Sequence, residues 1–342
     1  MRMIALAQEW VGRGGKAVFA TAECPESLVS RILSENFDHH TIEATPGSQM
    51  DANWTSGVAV KCNCSWTVID GYQFKYDFQR QVRSSTRPLL VVDDYQYEEK
   101  WFADAILNQN LFAESWSCSS EVPSARFLLG PQFALLRKEL VDHSPRTLSN
   151  TFREPVRLLV TLGGGDAAIV AGTLVEILHS METALLQIHL IAGSASANHK
   201  GLERIAADCR HNIELFHDVK DMSEQYMWAD AVISNAGSSC WEWLYFQRPG
   251  AVVRMADNQQ PVADELVKRG LAVDLGWHSE LASKSNIKQL LSDFLQRENL
   301  SRRRDLLRSR EDNQPATRNI IASESGIIDG LGAKRVCDVL AG

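Results

Sequence analysis

The amino-acid sequence predicts an α/β protein built from two doubly wound domains. Three observations carry this. Short β-branched or apolar runs alternate with amphipathic helical stretches along the chain. Glycine loops stand at strand-to-helix junctions in the second half. A polar segment from Lys138 to Pro155, with two prolines and no strong period, separates the halves as a linker. The chain has 342 residues, 44% hydrophobic and 23% charged, which suffices for two cores of ordinary size.

Met1–Gly12 reads as a helix with Ile4, Leu6, Ala7 and Val11 apolar. A doubly wound domain places a buried strand and a loop before its first helix, and this reading leaves both unaccounted for. In the first half, strands are expected at Ala17–Thr21, Trp66–Asp70, Leu89–Asp93 and Ala105–Leu107, with helices at Ser27–Asn36 and Tyr76–Ser84. In the second half, strands are expected at Val156–Leu162, Leu186–Ala192, Ile213–Phe216, Ala231–Ser234, Ala251–Met255 and Ala272–Leu275. Helices fit near Ala167–Ser180, Lys200–Cys209, Ser239–Phe246 and Val262–Arg269. Arg302–Ala316 is highly charged and reads as a solvated helix plus loop.

Composition excludes several classes. A net charge of -8 leaves no basic surplus to neutralise phosphates, so nucleic acid is not the expected partner. No apolar run approaches the roughly 20 residues of a membrane span, and the opening lacks the layout of a secretory signal; a cytoplasmic location is expected. The seven cysteines are odd in number and scattered. Cys62-Asn63-Cys64 has the wrong spacing for a zinc knuckle, so free thiols are expected. Among the histidines, His39, His40 and His278 read as loop surface, His189 lies in a strand and His217 follows one. No Ser/His/Asp nucleophilic arrangement stands out.

Gly163-Gly164-Gly165-Asp166 follows a strand and opens a helix, where backbone N–H groups and the helix dipole suit a phosphate. A tight turn requiring positive φ explains the glycines equally well. Asn235-Ala236-Gly237-Ser238-Ser239 is a second such loop, in which Ser238 has a competing reading as a plain helix cap. Glu242, one turn further, is placed to accept from ribose hydroxyls, or is a carboxylate favoured by the helix start. Asn258-Gln259 follows a strand and offers uncharged amides to a sugar. Asp70-Gly71-Tyr72 and Asp93-Asp94-Tyr95 end two strands of the first half, at the edge where open α/β sheets bind ligands. The paired aspartates lack the remainder of a metal coordination set.

In order, Met1–Ala7, Asp70–Tyr72, Val92–Asp94, Leu107–Asn110, Leu129–Arg137, Gly163–Asp166, Ala236–Glu242, Asn258–Gln259 and Asp329–Val336 resemble the UDP-2,4-diacetamido-2,4,6-trideoxy-β-L-altropyranose hydrolase family of pseudaminic acid biosynthesis. The resemblance covers nearly the whole chain. That family is similar in fold to the GT-B enzyme that adds N-acetylglucosamine in peptidoglycan synthesis. The resemblance therefore implies two Rossmann-like domains facing a central cleft: a sugar-binding catalytic domain over 1–145, a UDP-binding domain over 155–325 and a C-terminal helix over 326–342. It implies no metal requirement and attack of water on the anomeric carbon of a UDP-sugar; a monomer without cofactor is expected.

By that resemblance Tyr72, Arg137, Asn258 and Gln259 bind the substrate, Gly163, Gly164, Gly237 and Ser238 the diphosphate, and Glu242 the ribose. The base in the family is the His of a Gly-His loop that would fall ahead of Met1, so no catalytic residue is assigned here and the start reads as truncated. The rival readings are a GT-B glycosyltransferase, with an acceptor hydroxyl in place of water, and a UDP-sugar-binding protein without turnover.

Overall fold

The computed structural model describes residues 1–85, 88–95, 98–117, 119–143, 154–163, 167–192, 199–308 and 328–341. It divides into two units, Met1–Lys138 with Gly330–Gly342, and Glu139–Asp329.

The first unit runs α1 (Arg2–Gly12), β1 (Val18–Thr21), α2 (Glu26–Ser34), β2 (Asp38–Thr41), α3 (Gln49–Lys61), β3 (Thr67–Asp70), α4 (Tyr76–Ser85), β4 (Leu89–Val92), β5 (Ala105–Asn108) and β6 (Arg126–Leu129). Leu-Leu-Val-Val and Ala-Ile-Leu-Asn are continuous rather than alternating runs. As expected for parallel strands covered on both faces, β4 and β5 are buried at every position. One parallel sheet has the order β3-β4-β5-β6, and β1 and β2 form a separate parallel pair. Val68, Leu90 and Val92 face α1, while Ile69, Leu89 and Val91 face Ala52 of α3 and Phe78 and Val82 of α4. His39 and His40, expected on loop surface, instead lie in β2, whose polar Asp-His-His-Thr sequence carries no strand signal. α3 also lacks a clear apolar stripe; Ser48 starts it by accepting from the Asp51 amide at 3.2 Å.

The second unit contains α5 (Lys138–Val141, whose first residue belongs to the first unit), β7 (Val156–Thr161), α6 (Ala167–His179), β8 (Leu186–Ala192), α7 (His199–Ala207), β9 (Asn212–His217), α8 (Ser223–Trp228), β10 (Ala231–Asn235), α9 (Ser239–Tyr245), β11 (Gly250–Arg254), α10 (Gln260–Lys268), β12 (Ala272–Trp277), α11 (Ile287–Leu295) and α12 (Arg297–Arg308). Among the described residues its sheet has six strands, all parallel, in the order β12-β11-β10-β7-β8-β9. One core packs Leu158 and Val160 of β7 against Leu174 and Leu178 of α6, with Leu291 and Phe294 of α11. α12 begins earlier than the charged segment suggested and is not fully solvated: Arg304 is buried, 3.8 Å from the Asp230 carboxylate. Residues 309–327 of that segment and its sequel lie outside the described residues.

The C-terminal helix Gly332–Ala341 belongs to the first unit. Val336, Cys337 and Leu340 pack against Leu6, Leu90 and Val92, and the Trp66 indole donates to the Leu340 carbonyl at 2.7 Å. A Cβ at Gly332 would sit 2.1 Å from the Ala134 carbonyl oxygen, so only glycine fits where this helix begins.

Candidate nucleotide site

The strand order of the second unit reverses between β7 and β10: the chain moves outward from β7 through β8 to β9, then returns to the other side of β7. In an open α/β sheet this switch point leaves a crevice at the carboxyl ends of the two strands. The two glycine loops follow those two strands. Gly163 comes after β7 and Gly237 after β10; Gly164, the remaining glycine expected at the diphosphate, lies outside the described residues.

Asn235, the last residue of β10, ties the loops together. Its amide nitrogen donates to the Leu162 carbonyl at 3.1 Å. Its amide oxygen accepts from the Ser239 hydroxyl at 2.7 Å and, at a longer 3.4 Å, from the Gly237 amide. Gly163 has φ +89, and a Cβ there would meet the Asn235 amide nitrogen at 3.2 Å, so both conformation and space favour glycine. Beneath the turn, the Asn235 carbonyl accepts from the Ser234 hydroxyl at 2.8 Å and from the Cys240 thiol at 3.3 Å, and the Trp243 indole donates to Ser234 at 3.0 Å. Burial pushes the Cys240 thiol up to about 12, so it stays protonated as a donor.

Ser238 is the N-cap residue of α9, yet its hydroxyl makes no capping hydrogen bond; Asn235 instead braces the turn ahead of the helix through the Gly237 amide and the Ser239 hydroxyl. Glu242, one turn into α9, accepts from the Tyr226 hydroxyl at 2.9 Å. Tyr226 is wholly buried and stacks on Phe246 with centroids 5.5 Å apart, so the carboxylate is held from a rigid ring. Gln259 belongs to a short 3-10 helix, Asp257–Gln259, after β11, and its oxygen accepts from the Met255 amide at 2.9 Å. Its nitrogen lies 3.6 Å from where a Gly237 Cβ would stand, so the third loop meets the second. Asn258, half-buried, precedes it. His217 is exposed at the end of the edge strand β9.

In the first unit, Tyr72 is exposed and meets Tyr95 edge-on with centroids 6.4 Å apart, beside the ends of β3 and β4. Arg137 is buried, at 6% exposure. The paired aspartates serve different partners. Asp93 accepts from the Trp101 indole and the Tyr95 amide at 3.1 and 3.0 Å, whereas Asp94 is bound by Arg2 at 2.6 Å. Arg2 also grips Asp70 through two bonds of 2.9 and 2.6 Å. Burial opposes its charge, but the two carboxylates outweigh that and raise the guanidinium above its ordinary value. Sequence reasoning assigned no role to Asn235, Tyr226 or Arg2. The positional signal for Asn235 was its place at the strand end of the second glycine loop; the other two carried none. The described cysteines are all free, and Cys118 lies outside the described residues.

Residues 157–313 match the model of the glycosyltransferase family 28 C-terminal domain. Among solved structures, MurG of Acinetobacter baumannii superposes with a TM-score of 0.67 at 15% identity, covering 99% of this chain and 95% of that one. The fold is GT-B. The UDP-GlcNAc 2-epimerase of Neisseria meningitidis, solved with UDP-GlcNAc, superposes at 0.60 with 13% identity over 99% and 96% of the two chains. The S. aureus MnaA structure, solved with UDP, superposes at 0.62 with 14% identity over 98% and 91%. An uncharacterized protein of Methanocaldococcus jannaschii is 21% identical over 207 residues, 59% of this chain. That match spans 43% of the curated relative's own length. The matched domain covers both glycine loops, Glu242 and Asn258-Gln259 of this GT-B chain. Among the described residues no helix is long and apolar enough to cross a membrane.

Proposed function

We propose that the chain is an enzyme that binds a UDP-linked sugar through its second unit and cleaves it at the anomeric carbon, with UDP as leaving group. The observation that supports this reading is the convergence of the Gly163 and Gly237–Ser238 loops on Asn235 at the switch point. The two adjacent glycine turns leave the backbone uncovered by side chains on two sides of the switch point, where a diphosphate can approach closely, and the Ser238 hydroxyl makes no capping hydrogen bond. Departure of UDP builds negative charge on a phosphate oxygen, which positioned N–H groups stabilise without proton transfer. In this reading Glu242 accepts from the ribose hydroxyls, and Tyr226 fixes the direction of its carboxylate. Gln259 and Asn258 hydrogen-bond the sugar and diphosphate without adding charge, and Tyr72 and Arg137 serve the sugar in the first unit.

The acceptor we propose is water and the sugar a diacetamido-trideoxyhexose of pseudaminic acid biosynthesis, following the order of motifs from Met1–Ala7 to Asp329–Val336. No residue of the chain is assigned as the base. A glycosyltransferase is the second reading, favoured by the match of residues 157–313 to a glycosyltransferase domain. UDP release from UDP-2,4-diacetamido-2,4,6-trideoxy-β-L-altropyranose, measured with and without added sugar acceptors, separates the two. Release in water alone supports the hydrolase, and release that needs an acceptor supports the transferase. UDP binding without release under either condition sinks both.

A further inference from the structure

The loop that carries Asn258 and Gln259 is tied to the strand before it and to the helix after it. Arg254 closes β11, and the chain runs from there through Met255 and the short 3-10 helix into α10. Two side-chain bonds shut the loop. The Gln259 oxygen accepts from the Met255 amide at 2.9 Å, and the Gln260 oxygen accepts from the Arg254 guanidinium. Gln260 is held from its other end as well, its amide nitrogen donating to Asp264 of α10 at 2.7 Å. With the Gln259 oxygen fixed on Met255, its nitrogen is the end left beside the second glycine loop, 3.6 Å from where a Gly237 Cβ would stand.

Arg254 is itself held from β12. The Asp274 carboxylate binds its guanidinium at 2.9 Å, and the cation lies over the Trp277 ring, 5.3 Å from the centroid. This seat depends on an irregular pairing. Val252 stands opposite Asp274, but Val253 stands opposite Gly276 and Arg254 opposite Trp277, so β12 carries one extra residue at Leu275. Regular pairing would leave Gly276 opposite Arg254. Gly276 has φ +97, a conformation that favours glycine, and its amide donates to the other Asp274 oxygen at 2.8 Å. A β-bulge re-aims a side chain; here it brings an aromatic face opposite an arginine that a carboxylate of the same strand already holds. A planar guanidinium can serve a carboxylate, an amide oxygen and a ring together, which a compact ammonium does poorly.

We propose that Arg254 is a positioning residue of the nucleotide site: braced by Asp274 and Trp277 of the bulged strand, it fixes Gln260 and so sets the angle at which Gln259 is presented to the Gly237–Ser238 loop. The ligand part of this inference rests on the reading of the second unit as a UDP-sugar site; the bracing does not. An arginine that only stabilised the sheet would contribute to the melting temperature and leave affinity alone.

The test is a double-mutant cycle in the full chain, with UDP and UDP-2,4-diacetamido-2,4,6-trideoxy-β-L-altropyranose titrated by calorimetry. Arg254→Met should weaken the UDP-sugar by roughly fivefold or more. In a Gln259→Ala background the same substitution should cost less than about twofold, because the group it mis-aims is gone. Asp274→Asn loosens the brace without removing the arginine; it should give a smaller loss that also vanishes with Gln259→Ala, and it carries the cycle if Arg254→Met does not fold. Equal losses in the two backgrounds, or a lowered melting temperature with affinity intact, overturn the proposal. Hydrogen exchange of the ligand-free protein tests the bracing separately: the Met255 amide should exchange at least about tenfold faster in Arg254→Met, and faster to a lesser degree in Asp274→Asn. If the wild type binds neither ligand, the substrate reading fails and Met255 decides the bracing, which unchanged exchange would overturn.

Discussion

The buried Tyr226 hydroxyl donates to the Glu242 carboxylate at 2.9 Å, joining α8 to α9 beside the second glycine loop. If this carboxylate receives ribose hydroxyls, Glu242→Ala removes charge-assisted hydrogen bonds of about 1.5–3 kcal/mol each. UDP affinity by calorimetry should fall roughly tenfold or more. Tyr226→Phe keeps the charge and the ring stack and loosens only the orientation, so it should weaken UDP by less. Equal UDP affinity in wild type and Glu242→Ala would leave Glu242 a structural partner of Tyr226.

Asn235→Ala cuts the tie between the loops after β7 and β10. It leaves the Leu162 carbonyl, the Gly237 amide and the Ser239 hydroxyl without this partner, at a cost of about 1–3 kcal/mol. Both thermal stability and UDP affinity should drop. Asn235→Asp retains the oxygen that serves Gly237 and Ser239 but cannot donate to Leu162, and should recover only part of the loss. A stable variant with undiminished UDP affinity would show that the loops hold their geometry without Asn235.

His211 makes stability depend on pH. Its Nδ1 accepts from the Leu186 amide at 3.3 Å and its Nε2 donates to the Leu178 carbonyl at 3.0 Å, an arrangement suited to the neutral ring. Burial holds its pKa below the ordinary value, and Arg210 and His179 reinforce this against the Leu178 bond. The contribution is present above the unfolded histidine pKa. It is lost as pH falls through that value, because the unfolded chain then takes up a proton the folded ring resists. Melting temperatures from pH 8 to 5 should fall more steeply for wild type than for His211→Gln. Parallel curves would refute this.

Cys240 and Cys62 should differ sharply in reactivity. Cys240 is buried with its thiol pushed up to about 12, whereas Cys62 is exposed. At pH 8 iodoacetamide should label Cys62 in the folded protein and reach Cys240 only as the protein unfolds. Labelling of both at the same rate, read by peptide mass spectrometry, would mean that the floor of the β10–α9 turn opens readily.

The architecture was legible wherever a strand is a continuous apolar run. Leu89–Val92, Val156–Thr161 and Ala231–Asn235 announce themselves as buried parallel strands, and glycines mark the loops after β7 and β10. β2 was not legible because Asp38–Thr41 is polar and half-exposed; its pairing with β1, rather than its own propensity, makes it a strand. The partnership of Asn235 with Leu162 spans 73 positions and exists only because β10 lies beside β7. No local pattern encodes that adjacency. Tyr226 was equally silent, since its role depends on a helix turn 16 residues later. Arg2 lay within a recognised motif, but its two carboxylates, one at the end of β3 and one just beyond β4, lie 68 and 92 positions away.

The C-terminal helix has a consequence for the order in which the molecule is made. Val336, Cys337 and Leu340 close the same core as Leu6, Leu90 and Val92, so the first unit to leave the ribosome is the last to be finished. Until Gly332–Ala341 has been synthesised, the flank of α1 and the β4–β5 face it covers are open to solvent, while the second unit already has every strand of its sheet. Translation therefore exposes an apolar surface on the older half of the chain for the time needed to build the younger half.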